Sequence, residues 1–338
     1  MRFGYSDTCL EHDPGPRHPE TPDRLRAIRE GLKRKHGAEY VDADPASVET
    51  IAAVHDRGYV ESVQEFCADG GGNWDPDTTA VARTWDAIVQ SAGLACWAAE
   101  RALEGDDGRE TPFSLGRPPG HHAVYDDAMG FCFVNNAAVA AQFALEAEDL
   151  DCDRVAIVDW DVHHGNGTQD IFYDRGDVFF VSTHERGLYP GTGEVTEVGE
   201  GDGEGATMNV PMPAGSDDTD YLGAFDELIV PALESFDPDL LLVSAGFDAH
   251  RHDPISRVRL PTETYALMTD RLRSAAAETD AALAFVLEGG YALDVLAESI
   301  ALVHETFDGR QPIESDGEVS DAVDEILGDV ADAHGLEY

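Results

Sequence analysis

Apolar residues in this chain fall into two kinds of run. The runs Val155-Ala156-Ile157-Val158, Val178-Phe179-Phe180-Val181, Leu240-Leu241-Leu242-Val243 and Ala284-Phe285-Val286-Leu287 are short and continuous. Their length and composition predict strands buried on both faces. Pro112-Phe113-Ser114-Leu115 predicts a shorter strand. Between these runs, apolar positions recur three and four apart, as at Leu25, Ile28 and Leu32, and predict helices. We read helices over 22–36, 80–103, 136–148, 219–236, 263–278, 292–307 and 320–333. Residues 188–205 read as a Gly-rich loop and 104–108 as an acidic turn. Strands alternating with helices predict an α/β fold: a mainly parallel sheet covered on both faces. We expect one domain over 1–338, ending in an acidic helical tail over 318–338.

Polar clusters stand where the strands should end, which in open α/β sheets is where ligands bind. The densest is Asp159-Trp160-Asp161-Val162-His163-His164-Gly165-Asn166. If the strand stays extended, its period of two points Asp159, Asp161 and His163 to one side. An Asp-x-His pair offers a divalent metal one hard oxygen and one imidazole nitrogen. Gly120-His121-His122, Gly246-Phe247-Asp248 and Glu288-Gly289-Gly290-Tyr291 are weaker singly. A His pair is commonly structural, an Asp after a strand commonly a helix cap, and a Gly-Gly-Tyr commonly a turn. Their joint placement at strand ends points to one site.

Charge changes the picture of the surface and the partners. There are 68 Asp and Glu against 22 Lys and Arg, a formal net charge of −46, spread along the whole chain. Such a surface stays hydrated in concentrated salt, so we read it as adaptation to a salt-rich cytoplasm, as in halophilic archaea. It argues against direct nucleic-acid binding, which needs a basic footprint. Attraction of cationic substrates over distance would be weak in molar salt, where the Debye length is about 3 Å. Five cysteines without Cys-x-x-Cys spacing predict free thiols in a reducing compartment. The N-terminus lacks a signal-peptide pattern, and no apolar run approaches the roughly 20 residues that span a membrane.

Arg117-Pro118-Pro119-Gly120-His121-His122, Gly130-Phe131-Cys132-Phe133-Val134-Asn135-Asn136, the 159–169 run continuing through Gly167-Thr168-Gln169, Ser244-Ala245-Gly246-Phe247-Asp248 and Leu287-Glu288-Gly289-Gly290-Tyr291 occur in the order seen in histone deacetylases. Over 5–304 the chain resembles that family, with wording nearer its class II branch. The family also includes acetoin-utilisation proteins and acetylpolyamine amidohydrolases. The resemblance implies the arginase-like three-layer fold, with a central parallel sheet of about eight strands. It implies Asp161, His163 and Asp248 as ligands of Zn2+, a set that would also serve Fe2+. It implies His122 as general base, His121 as electrostatic partner, and Tyr291 as oxyanion donor. Asp159 then pairs with His121. Asn166, which stands where class I relatives carry Asp, faces His122. A neutral amide stabilises an imidazolium less than a carboxylate does, so we expect His121 protonated and His122 neutral.

For the substrate, the resemblance implies aromatic walls at Phe131 and Tyr189, the latter usually Phe, and stem contacts at Gly130 and Gly289. Asp75 is the candidate rim carboxylate. Arg24 is either a residue near the acetate exit or a helix-surface Arg. It further implies K+ held by main-chain oxygens around Asp159, Asp161 and His163 with Ser182, and a second K+ near Phe172 and Val178. The expected reaction is hydrolysis of N6-acetyllysine in proteins, and the alternative substrate is an acetylpolyamine or other small amide. The polyamine-selective relatives place Glu where Ile255 stands, which weighs against that alternative. Gly165 removes a ligand that a two-manganese ureohydrolase would need, and the intact metal, His and Tyr set argues against a non-catalytic module.

Overall fold

The computed structural model describes residues 1–105, 111–336 and 338. Residues 106–108 of the expected acidic turn lie outside them. Among the described residues there are ten strands: β1 Arg2–Gly4, β2 Tyr40–Val41, β3 Gly71–Asn73, β4 Thr79–Val81, β5 Pro112–Ser114, β6 Val155–Asp159, β7 Val178–Glu185, β8 Thr207–Met212, β9 Leu240–Ala245 and β10 Ala282–Leu287. Eight of them form one sheet in the order β2-β1-β5-β10-β9-β6-β7-β8, and every neighbouring pair is parallel. β3 and β4 form a separate antiparallel hairpin.

The helices are α1 Asp23–Lys35, α2 Val48–Ile51, α3 Arg57–Ala68, α4 Thr84–Glu104, α5 Asn136–Glu146, α6 Asn166–Phe172, α7 Asp218–Ala224, α8 Val230–Phe236, α9 Thr262–Glu278, α10 Leu293–Phe307 and α11 Asp321–His334. They enclose the sheet. Along β6, Ala156 and Val158 enter one apolar cluster while Val155 and Ile157 enter another, so each sheet face builds its own core.

Three expectations change locally. The helix expected from position 80 begins at Thr84, because Ala80 lies in β4. The helix expected over 219–236 is continuous but passes through a π turn at Phe225–Ile229. Pro231 follows that turn and cannot donate the next i→i−4 bond, which favours such a local rewinding. The C-terminal helix α11 is packed in: Val323, Ile326, Leu327 and Val330 are buried in the cluster that holds Met208, Val210 and Met212 of β8. The five cysteines are buried and free, and no helix among the described residues is long and apolar enough to cross a membrane.

Candidate active site

The register of the central strands sets the site. Asp159 at the end of β6 lies opposite Ser182 of β7 and Ser244 of β9. The chain leaves strand geometry after Asp159, which corrects the expectation of a continued period of two. The carboxylates themselves fold this turn: Asp161 N–H donates to Asp159 Oδ1 (3.0 Å) and His163 N–H to Asp161 Oδ1 (2.9 Å). Asp159 thereby parts from the other two and points its Oδ2 to His121 Nδ1, 2.9 Å away.

Asp161, His163 and Asp248 are buried, and one donor atom from each lies within 4.8 Å of the others. His163 Nδ1 approaches both Asp161 Oδ1 (2.9 Å) and Asp248 Oδ2 (3.2 Å). Gly289 N–H fixes Asp161 Oδ2 at 2.8 Å, and Val162 N–H fixes Asp248 Oδ1 at 2.9 Å. Asp248 Oδ2 is buried without a hydrogen bond. Burial, and then the neighbouring Asp161, lift Asp248 to about 7. Two crowded carboxylates, one with an unsatisfied oxygen, and an imidazole nitrogen make a donor set that could hold a divalent metal. Two glycines make room for it: a Cβ at Gly289 would lie 2.2 Å from Asp248 Oδ2, and one at Gly246 would lie 2.1 Å from Asp161 Oδ2.

The paired imidazoles stand beside this cluster, their centroids 4.1 Å apart, with His122 5.7 Å from His163. Their backbone is pinned from two sides. Gly120 N–H and His121 N–H donate to Glu288 Oε2, while Gly167 N–H and Thr168 N–H at the start of α6 donate to His121 O. Burial opposes charge on His121, but the carboxylates of Asp159 and Asp161 overcome it and raise its pKa to about 10. Burial, and then the charges of His121 and His163, hold His122 well below its usual value. His122 Nδ1 lies 2.8 Å from Asn166 Oδ1, while Asn166 Nδ2 donates to His122 O at 3.3 Å. An amide oxygen only accepts, so the proton sits on His122 Nδ1 and the lone pair on Nε2.

Tyr291 is set by its backbone, where its N–H donates to Asp253 Oδ2 (2.7 Å), and its ring lies edge-on to Phe131 at 5.9 Å. Burial outweighs the nearby Arg24 and raises its hydroxyl well above the usual pKa, so it stays a proton donor. Arg24 is completely buried, which removes the helix-surface alternative. It donates to Gly290 O, Glu288 O and Glu20 Oε1, and its guanidinium lies 5.1 Å from the Tyr291 ring. Glu20 is equally buried and also holds Arg117. The Glu20–Arg24–Arg117 network thus underlies the Gly289–Tyr291 turn. Sequence reading missed Glu20, whose only local signal is a position four residues before Arg24.

At the mouth, Gly130 and Phe131 both take positive φ, at 56° and 70°. A Cβ at Gly130 would strike the His122 ring at 2.3 Å. Phe131 is flanked by His18 (4.6 Å), and Tyr189 lies edge-on to His122 at 5.1 Å. Tyr189 is 37% exposed, so it faces the entrance. Asp75 turns inward, its Oδ1 accepting from Asp77 N–H and Thr78 N–H. Asp77 lies nearer the mouth, within reach of the Gly130 amide, and after burial its charge is the main influence raising the Tyr189 hydroxyl. Asp77 was also missed, because the hairpin loop between β3 and β4 carries no apolar pattern, and so was His18, which lies before α1 and meets that loop only in the fold, its Nε2 2.9 Å from Asp77 O. Ile255 N–H is tied to Asp253 Oδ1 at 3.2 Å. Of the expected potassium residues, Ser182 is buried beside His184 Nδ1 (3.0 Å), and Thr183 Oγ1 reaches Asp159 O at 3.4 Å. Phe172 closes α6 and Val178 opens β7, both buried.

Residues 18–307 match the family described as histone deacetylase domain. The chain is 42% identical over 316 residues to "Histone deacetylase 10, chloroplastic" of Oryza sativa subsp. japonica, covering 87% of this chain and 70% of that protein. It is 36% identical over 311 residues to "Histone deacetylase-like amidohydrolase" of Pseudomonas aeruginosa, covering 86% and 81%. The solved HDA15 HD domain superposes with a TM-score of 0.89 at 35% identity, covering 98% of this chain and 93% of that one. The eight-stranded parallel sheet between helices is thus the arginase-like fold of these enzymes, and the chain belongs to the histone deacetylase family of deacetylases and amidohydrolases.

Proposed function

We propose that the chain hydrolyses the acetamide of N6-acetyllysine in proteins, releasing acetate. The observation that carries this reading is the pair of unlike imidazoles beside a three-donor metal cluster: His121 on a carboxylate, His122 on an amide with its Nε2 lone pair free. Asp161, His163 and Asp248 would hold Zn2+, or Fe2+, which when bound polarises the acetyl carbonyl and acidifies water. His122 Nε2 takes the proton of the attacking water as general base. It then returns that proton to the amine nitrogen as the C–N bond breaks. His121, protonated on Asp159, keeps His122 neutral beforehand and supplies positive charge as the reaction proceeds. Tyr291 donates its hydroxyl hydrogen to the carbonyl oxygen as that oxygen gains charge.

Phe131 and Tyr189 flank the lysyl stem, with Gly130 and Gly289 giving it room, and Arg24 holds the turn that carries Tyr291. Asp77 is better placed than Asp75 to hold the substrate backbone at the rim. Main-chain oxygens around Asp159, Asp161 and His163 with Ser182, and those near Phe172 and Val178, would take K+.

The test is a comparison of an acetyllysine peptide with acetylspermidine in concentrated potassium chloride. Enzyme stripped by chelator and restored with zinc should lose and regain activity, with the peptide preferred. A preference for acetylspermidine would favour the small-amine alternative, and activity indifferent to chelator would overturn the metal-dependent reading.

A further inference from the structure

A second set of metal-type donors lies away from the sheet edge. α1 and α10 pack closely enough that a Cβ at Gly31 would meet Ala297 Cβ at 3.0 Å. They run parallel, so their C-terminal ends converge. His36, just past the end of α1, and His304, in the last turn of α10, bring their rings to 4.8 Å at 82°. Asp308 follows His304 by four residues, one helical turn on, and its Oδ2 is 3.3 Å from His304 Nε2. One donor atom from each of His36, His304 and Asp308 lies within 4.8 Å of the others, as is also true of Asp161, His163 and Asp248.

We propose that His36, His304 and Asp308 form a second binding site for a divalent transition metal such as zinc. Three observations support it. The donor set is two imidazoles and a carboxylate, the composition of many zinc sites, and Glu305 Oε1 stands 3.1 Å from His36 Nε2 as a fourth donor. His36 Nε2, the nitrogen that faces Glu305, is buried with no hydrogen-bond partner among the described residues, so its approach to Glu305 is not aligned as a hydrogen bond. The negative ends of two helix dipoles meet at the site and favour a cation there. Two cations are close by: the N-terminal amine, whose charge acts on His304, and Arg310, which is engaged by both oxygens of Glu263 and approaches Glu305 only at Oε2, at 3.4 Å. A bound ion would clamp α1 to α10. Nothing in the proposed hydrolysis uses these residues, and the site stands or falls independently of that reading.

The test counts zinc per chain by mass spectrometry after equilibrium dialysis of the full-length enzyme, with cobalt absorption as a second readout of ligand geometry. The expected result is two ions in the wild type and one in each of His36→Gln, Asp308→Asn and Asp248→Asn. Tetrahedral cobalt bands from the second site should survive Asp248→Asn and vanish in the other two. Asp308 is 57% exposed, so Asp308→Asn should fold normally. An ion count and cobalt spectrum unchanged in both His36→Gln and Asp308→Asn would overturn the proposal. A wild type that binds one ion, lost in Asp308→Asn but kept in Asp248→Asn, would support it and count against the catalytic cluster instead.

Discussion

The carboxyl edge of the central strands and the rim around it are built on different principles. At the edge, each functional side chain is over-determined: Asp161 and Asp248 receive backbone N–H groups, His121 and His122 are held through backbone and ring, and every member is buried. At the rim, Tyr189, Asp75 and Asp77 sit on loops, partly in water, with one or two contacts apiece. The edge has no space to adjust, so small changes there should abolish chemistry. The rim can adjust, so changes there should alter binding.

The sharpest test of the edge is Gly289→Ala. Its Cβ would fall 2.2 Å from Asp248 Oδ2 and 2.5 Å from Asp161 Oδ2, against groups that cannot retreat. Metal retention should be lost and activity should fall to that of chelated enzyme, measured by ion content and turnover together. Tyr291→Phe leaves the metal cluster alone and removes one donor. It should lower kcat by about 10²–10³ with little change in ion content. An unchanged kcat would break the assignment of the hydroxyl.

Asn166→Asp probes the same edge through pH. A carboxylate facing His122 Nδ1 stabilises its protonated form, so the pKa rises and the base is lost at higher pH. The acidic limb of the kcat/KM profile should move up by about one unit or more. A limb that stays in place would mean that His122 does not govern it. At the rim the expected effects are smaller. Asp77→Asn should raise KM for an acetyllysine peptide by up to about tenfold, the value of one charge-assisted hydrogen bond, with kcat unchanged. Asp75→Asn, whose amide oxygen can still accept from Asp77 and Thr78 N–H, should change KM less. The reverse order would return the rim role to Asp75.

The same contrast separates what could be read in the sequence from what could not. β6, β7, β9 and β10 are buried on both faces, so they appear as continuous apolar runs, and the polar residues after them mark the site. β1, β2 and β5 span only two or three residues, and only the last carried a readable pattern. β8 was missed because Thr207, Asn209 and Pro211 interrupt its apolar positions, and a proline is tolerated there because the strand lies at the sheet's margin. The meeting of Asp161, His163 and Asp248 was legible because two motifs carry them and the family resemblance joins those motifs. Glu20, His18 and Asp77 acquire meaning only when loops far apart in sequence meet. Arg24 was ambiguous for a related reason: helical spacing places it on α1, but burial depends on the turn after β10 that covers it.

The packing of α11 against β8 has a consequence for how much of the chain can be dispensed with. Among the described residues β8 is the outermost strand at its end of the sheet. Shortened before Asp321, the chain would keep its reaction centre yet uncover Met208, Val210 and Met212 next to unpaired peptide groups. Concentrated salt strengthens association of such surfaces. The acidic α11, which reads as an appendage, would then act as a guard against self-association.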